Sequence, residues 1–141
     1  MNVYFACSIT GGREVEAVYQ ALTQALAEDH HVVPTAHLAR SNVHLLEGTV
    51  DPKDVYERDV SWILACDALV AEVSVPSHGV GYEIGFALGE AKPVLCLAEE
   101  GRAVSKMITG NPHPGLKVRR YRDASEGVRL LRTFLDELAH L

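Results

Sequence analysis

No pair of cysteines in this chain has C-x-x-C spacing, no lysine follows a G-x-x-x-x-G turn, and no G-x-G-x-x-G pattern is complete. Zinc-ribbon, dithiol-redox, P-loop ATPase and ordinary dinucleotide-binding readings lose their sequence support together. No apolar run approaches the ~20 residues needed to cross a bilayer, and the first residues lack a basic, signal-like segment, so a soluble chain is expected. Positive charge is also scarce, with 13 basic against 19 acidic residues and a net charge of -6. That balance leaves no electrostatic footprint for a nucleic-acid polymer, although a small anion could still find a local site. Cys7, Cys66 and Cys96 all fall in or beside apolar runs, which predicts buried, reduced thiols and a cytoplasmic setting.

What is present fits one domain spanning residues 1–141, with 48% hydrophobic residues and no repeat, low-complexity tract or linker. Five strand-like runs are expected: Asn2–Ile9, His31–Thr35, Asp67–Val75, Pro93–Ala98 and Leu116–Tyr121. Helical patterns follow the first and third, occupy Pro52–Ala65 behind an Asp51 cap, and close the chain over Ala124–Leu141. Ala36–Asp51 is more polar and is read as a lid or long loop, and Gly101–Ile108 as a short helix or loop. This βα alternation predicts a three-layer α/β domain, Rossmann-like or flavodoxin-like, with a five-stranded, mainly parallel sheet in the order 2-1-3-4-5.

In that order the first and third strands flank the topological switch point, so the loops at Ser8–Arg13 and Ser77–Glu83 should face each other across one crevice. The first loop offers hydroxyls and flexible backbone at a helix N-terminus, a combination suited to anionic oxygens, though a plain turn has the same composition. Gly81, Gly85 and Gly89 recur every four residues and could let their helix approach the sheet closely. Glu83 is expected in that helix's first turn, where the dipole favours an ionised carboxylate. It reads as a nucleophile or as a simple dipole partner. Asp59 shares the apolar stripe of Val55, Trp62 and Cys66, so it must be paired, with Arg58 or a backbone N–H as partner, or face a cavity. His37 could reach the crevice, but a surface histidine is the default reading.

The segments Tyr4-Phe5-Ala6-Cys7-Ser8-Ile9-Thr10-Gly11-Gly12-Arg13-Glu14, Asp59, Ala71-Glu72-Val73-Ser74-Val75-Pro76-Ser77-His78-Gly79-Val80-Gly81-Tyr82-Glu83-Ile84-Gly85 and Ser105-Lys106-Met107-Ile108 occur in this order. Together they resemble the nucleoside 2-deoxyribosyltransferase superfamily, most closely its 2'-deoxynucleoside 5'-phosphate N-hydrolase branch. The resemblance implies hydrolysis of the N-glycosidic bond of a nucleoside 5'-monophosphate, without metal or cofactor, to free base and sugar 5-phosphate. It implies Glu83 as the nucleophile, Asp59 as orienting group and proton donor to the base, and Tyr4 as the group that positions the catalytic carboxylate and the sugar. For the substrate it implies Ser8, the amides around Gly11 and Gly12, Ser77 and Gly79 on the phosphate, Cys7, Ile9, Thr10 and Arg13 as further substrate-binding residues, and Tyr19 and His37 near the nucleotide. Ser105, Lys106 and Met107 would complete the neighbouring subunit's site in a homodimer. Some relatives carry arginine where Thr10 stands here, which leaves a weaker phosphate contact, a contact through Arg13 or Lys106, or a different substrate as the open outcomes. A deoxyribosyltransferase that exchanges bases and a non-catalytic nucleotide sensor are the competing functions.

Overall fold

Four parallel strands form the sheet in this computed structural model, which describes Met1 to Leu141. They are β1 (Val3–Ala6), β2 (Ala68–Glu72), β3 (Val94–Glu99) and β4 (Leu116–Tyr121), neighbours in the order β1-β2-β3-β4. Every residue of β1 and β2 is buried, as expected of strands covered on both faces. The expected second strand is not part of the sheet, so the five-stranded description is corrected to four. Its remnant is a single parallel bridge between Asn2 and Val32. Pro34 has no N–H to extend that ladder, and the chain turns into a 3₁₀ segment at Ala36–Ala39. The Thr35 hydroxyl instead accepts from the Phe5 N–H at 2.9 Å, capping the free edge of β1.

Strand alternation divides the core into two layers. Val3 and Phe5 face α1 (Glu16–Glu28), whose Tyr19, Leu22 and Leu26 join Leu131 and Phe134 of the closing helix at Ala124–Ala139. Tyr4 and Ala6 face the opposite layer, with Ile63, Val80, Ile84 and Ala87. Ile63 belongs to the helix at Pro52–Ala65, and the other three to the helix at His78–Gly89. The segment read as a lid or long loop contains the 3₁₀ turn and a short helix α2 (Val43–Glu47), with Leu38, Ala39 and Val43 buried. In chain order the remaining helices are α3 (Pro52–Ala65), α4 (His78–Gly89), α5 (Lys106–Thr109) and α6 (Ala124–Ala139). Asp51 caps α3 through the Lys53 N–H, and Asp123 caps α6 through the Glu126 N–H at 2.8 Å.

The connection after β1 leaves toward the α1 layer and the one after β2 toward the α4 layer, so a crevice opens between their carboxyl ends. The turns there are tightly apposed. A Cβ on Gly11 would stand 2.2 Å from the Pro76 carbonyl oxygen, so only glycine fits. The base of the second loop is fixed by fully buried Glu72, which accepts from the Ser74 N–H at 2.7 Å and from the Ser74 and Tyr121 hydroxyls. The glycine stripe of α4 requires a correction. Val80, Ile84, Ala87 and Leu88 face the sheet, whereas a Cβ on Gly81, Gly85 or Gly89 would meet nothing within 4 Å. The bare ridge points outward. The three cysteines are free and buried.

Candidate active site

Tyr4 and Glu83 meet across 79 residues of chain: the phenolic O–H donates to Glu83 Oε2. Strand alternation aims Tyr4 at the α4 layer, and the cap fixes where along α4 the carboxylate lies. Ser77 Oγ accepts from the Val80 N–H, so the helix starts at His78 and Glu83 is its sixth residue, in the second turn. The first turn holds no acidic residue. Dipole stabilisation in that turn is therefore replaced by burial as the dominant influence. Burial pushes the Glu83 carboxyl up to about 7, the Asp59 charge adds to the rise, and the Tyr4 hydrogen bond and Arg58 oppose it. A carboxyl poised near neutrality beside a cavity is suited to nucleophilic or acid-base chemistry.

That cavity, about 250 Å³, is walled by Cys7, Ile9 and Thr10 from the first loop and by Ser77, Gly79 and Glu83 from the second loop and α4. Asp59 and Glu47 complete it. Glu83 and Asp59 also border an adjoining apolar cavity of about 380 Å³ with Tyr56, Val60, Ile63 and Tyr82. Volume alone does not mark the site, since a concavity of about 570 Å³ beside Gln20, Thr23 and Arg40 contains none of these groups. Burial raises the Asp59 carboxyl above the usual range, against the pull of Arg58, whose Nε donates to Asp59 Oδ1 at 2.9 Å. The expected Arg58 partner and the cavity-facing placement thus occur together.

Sequence reasoning missed Glu47. Arg58 grips it with both terminal nitrogens, at 3.0 Å to Oε2 and 2.6 Å to Oε1, while His37 Nε2 lies 3.1 Å from Oε1. Arg58 also lies over the Trp62 ring at 4.8 Å, and His37 stands edge-on to the same ring. This fork holds the Glu47 carboxyl below its usual range. His37 is therefore engaged beside the crevice, one partner removed from its wall.

The other expected residues divide between the cavity wall, the body of the protein and the outer surface. Arg13 is turned into the protein, donating to the carbonyls of Ser8 at 3.2 Å, Leu38 at 2.6 Å and Arg40 at 2.9 Å, and pairing with Glu16. Its guanidinium also covers the Tyr19 ring. Tyr19 is a core residue against Phe5, and its hydroxyl and that of Ser8 are buried without partners. Gly12 has φ +127°, a conformation open to glycine. Cys7 lines the wall as a thiol pushed by burial to about 12. Ser105 caps α5, and Met107 and Lys106 are exposed. Ser105 and Met107 line a groove of about 580 Å³ along α4 that contains Ser77 but not Glu83. No trio of His, Cys, Asp or Glu side chains converges to hold a metal ion, and no helix is long and apolar enough to cross a membrane.

Arg13 fastens the first loop to the segment at residues 38–40. Arg13→Ala is expected to lower unfolding free energy by about 1–3 kcal/mol and to speed proteolysis within residues 36–42. Chemical denaturation and limited proteolysis would check this; wild-type stability with an unchanged cleavage pattern would mean the tether is incidental.

The profile of the nucleoside 2-deoxyribosyltransferase family matches residues 3–126. A Thermofilum pendens protein with the provisional name 2'-deoxynucleoside 5'-phosphate N-hydrolase 1 is 39% identical over 137 residues, covering 96% of this chain and 95% of the relative. The 5-hydroxymethyl-dUMP N-hydrolase of Esox lucius is 37% identical over 135 residues, covering 91% and 92%. Among solved structures, Clostridium botulinum CMP N-glycosidase superposes with a TM-score of 0.70 at 22% identity, over 94% of this chain and 99% of the other, a likeness of fold. With the profile spanning most of its length and relatives matched nearly end to end, this chain belongs to the nucleoside 2-deoxyribosyltransferase family.

Proposed function

We propose that this protein hydrolyses the N-glycosidic bond of nucleoside 5'-monophosphates, with ribose or 2-deoxyribose as the sugar. The observation that carries the reading is the convergence of Asp59 and Glu83, the latter held by the buried Tyr4 hydroxyl, on one cavity lined by the two small-residue loops. Ionised Glu83 attacks the anomeric carbon as its bond to the base nitrogen breaks, giving a glycosyl ester while Asp59 supplies a proton to the base. Water then adds to that carbon, its proton returns to Asp59, and Glu83 leaves as a carboxylate. Developing oxocarbenium charge is stabilised by the adjacent anion.

The 5'-phosphate is assigned to the facing loops. Ser77 and Thr10 offer donors on the cavity wall, backed by the buried, unpartnered Ser8 hydroxyl and by the backbone around Gly11, Gly12 and Gly79. Arg13 supports this cradle from behind through its carbonyl contacts. Phosphate anchoring far from the breaking bond orients the reacting carbon, worth several kcal/mol in favourable cases.

Ser105, Lys106 and Met107 are assigned to the site of a second copy of the chain. The outward ridge of α4 supports a homodimer, as do exposed Tyr56, Tyr82 and Met107 beside it, at 53%, 55% and 84% exposure. Sedimentation as a single copy at concentrations where the protein is active would overturn that assembly.

The test is a panel of ribo- and deoxyribonucleoside 5'-monophosphates and matching nucleosides, with and without an acceptor base. Base release confined to the monophosphates is expected. Base exchange from unphosphorylated nucleosides would identify a transferase, and binding without either reaction would identify a sensor.

A further inference from the structure

Glu47 has no assigned part in the chemistry above, yet its carboxylate lies on the wall of the catalytic cavity. It is linked to the proton donor by one side chain, because Arg58 reaches both Glu47 and Asp59. A leaving base protonated by Asp59 must lie within reach of that carboxyl, and Glu47 lines one of the two cavities that Asp59 borders, so a base held in that cavity meets both side chains. In the proposed reaction Glu83 attacks the sugar carbon, so the sugar lies toward Glu83 and the base toward Asp59. Accepting this N-glycosidase reading, we infer that Glu47 reads the base edge and selects bases carrying an exocyclic amine over their keto counterparts.

The argument is one of unfilled lone pairs. Oε1 accepts from Arg58 Nη2 and faces the His37 ring nitrogen, so both of its acceptor positions are engaged. Oε2 has one partner, Arg58 Nη1, leaving a lone pair for a donor. An amino group at C4 of a pyrimidine or C6 of a purine supplies that donor. A keto oxygen at the same position presents a second acceptor to a largely buried anion and leaves both unpaired. Sites built to hydrogen-bond one substrate group discriminate strongly against analogues that cannot do so. The bidentate Arg58 fork holds the carboxylate in orientation, so the acceptor is in place before the base arrives.

The experiment uses isosteric pairs, dCMP against dUMP and dAMP against dIMP. The kcat/KM ratio of amino to keto members is measured for the wild type and Glu47→Gln, which cancels any difference in the folded fraction. The wild type is expected to favour the amino member by about tenfold or more, and Glu47→Gln to bring the ratio near one, because a carboxamide can turn either a donor or an acceptor to the base. Equal ratios in the two proteins would overturn the inference, as would a wild-type preference for keto bases. Equilibrium binding of the same pairs to Glu83→Gln and to Glu83→Gln/Glu47→Gln tests selection without chemistry. If the wild type releases no base but the binding ratio still moves with Glu47, the hydrolytic reading fails and base selection stands. Absence of binding to every nucleotide rejects both.

Discussion

Glu83→Gln is expected to lower kcat by about a thousandfold or more while nucleotide affinity changes by only a few-fold. Glutamine keeps the shape of the side chain and can still contact Tyr4, but it cannot form the glycosyl ester or oppose oxocarbenium charge. A loss of this size corresponds to about 4 kcal/mol of transition-state stabilisation. Turnover and equilibrium binding, measured side by side, check the result. A glycosyl adduct on the peptide containing Glu83, trapped by rapid acid quench in the wild type and missing from the variant, would identify the covalent step. Wild-type turnover by Glu83→Gln would reject the assignment.

The same substitution carries a stability signature of opposite sign. Glu83 has its carboxyl raised by burial from an ordinary 4.5 to about 7, so the fold favours its protonated form. The contribution of that protonated group is fully present below about pH 4.5 and is lost as the pH rises through about 7. Above that range the ionised group costs the fold on the order of 3 kcal/mol, the free energy that separates an ordinary 4.5 from about 7. The variant should therefore melt higher than the wild type at pH 8 and close to it near pH 4.5. A melting-temperature difference that does not change with pH would show that burial is not what perturbs this carboxyl. Destabilisation at the catalytic group and loss of function on removing it are expected to appear in one variant.

Local pattern brought Glu83 and Asp59 to the crevice, but not all of their surroundings. The apolar run before Ser8 and the one before Ser77 each lead to a loop that reaches the crevice, whereas Tyr4 came from the family resemblance alone, and strand alternation in the fold turns it toward the α4 layer. Periodicity gives the phase of a helix and leaves its start to a cap. Taking Glu83 for a first-turn residue misplaced it by one turn, and the expected dipole-stabilised anion became a buried carboxyl with a raised pKa. The glycine spacing likewise defined a stripe on α4 without saying which side meets the sheet. At His31–Thr35 β propensity was present, but Pro34 and the Thr35 side chain limited pairing to one bridge. Glu47 had no readable local signal. It ends a helix of five residues in a segment without periodicity, and its role depends on Arg58 eleven positions away. Arg13 stood open as a phosphate contact because carbonyl acceptors supplied by folding leave no mark in a sequence.

Tyr4→Phe should distinguish positioning of the nucleophile from tuning of its charge. The phenolic hydroxyl is the hydrogen-bond donor to Glu83, and that bond favours the ionised carboxylate against burial and the nearby Asp59 charge. Without it the Glu83 carboxyl rises further above about 7, and less of the protein carries a nucleophile at neutral pH. The expected loss in kcat/KM at pH 7 is about 10- to 100-fold, the scale of one pKa unit combined with a lost orienting hydrogen bond. The informative quantity is the ratio of wild-type to variant kcat/KM across pH. Ionisation of the substrate phosphate appears in both rates and cancels, as does Asp59 to the extent that its environment is unchanged. Below about pH 6 both carboxyls are mainly protonated, and the ratio should be constant at its largest value. As pH passes through 7 and beyond, the wild-type carboxylate reaches full ionisation first, and the ratio should narrow as the variant follows. A ratio of the same size at every pH would assign Tyr4 to geometry alone, and no loss at any pH would remove it from the site's machinery.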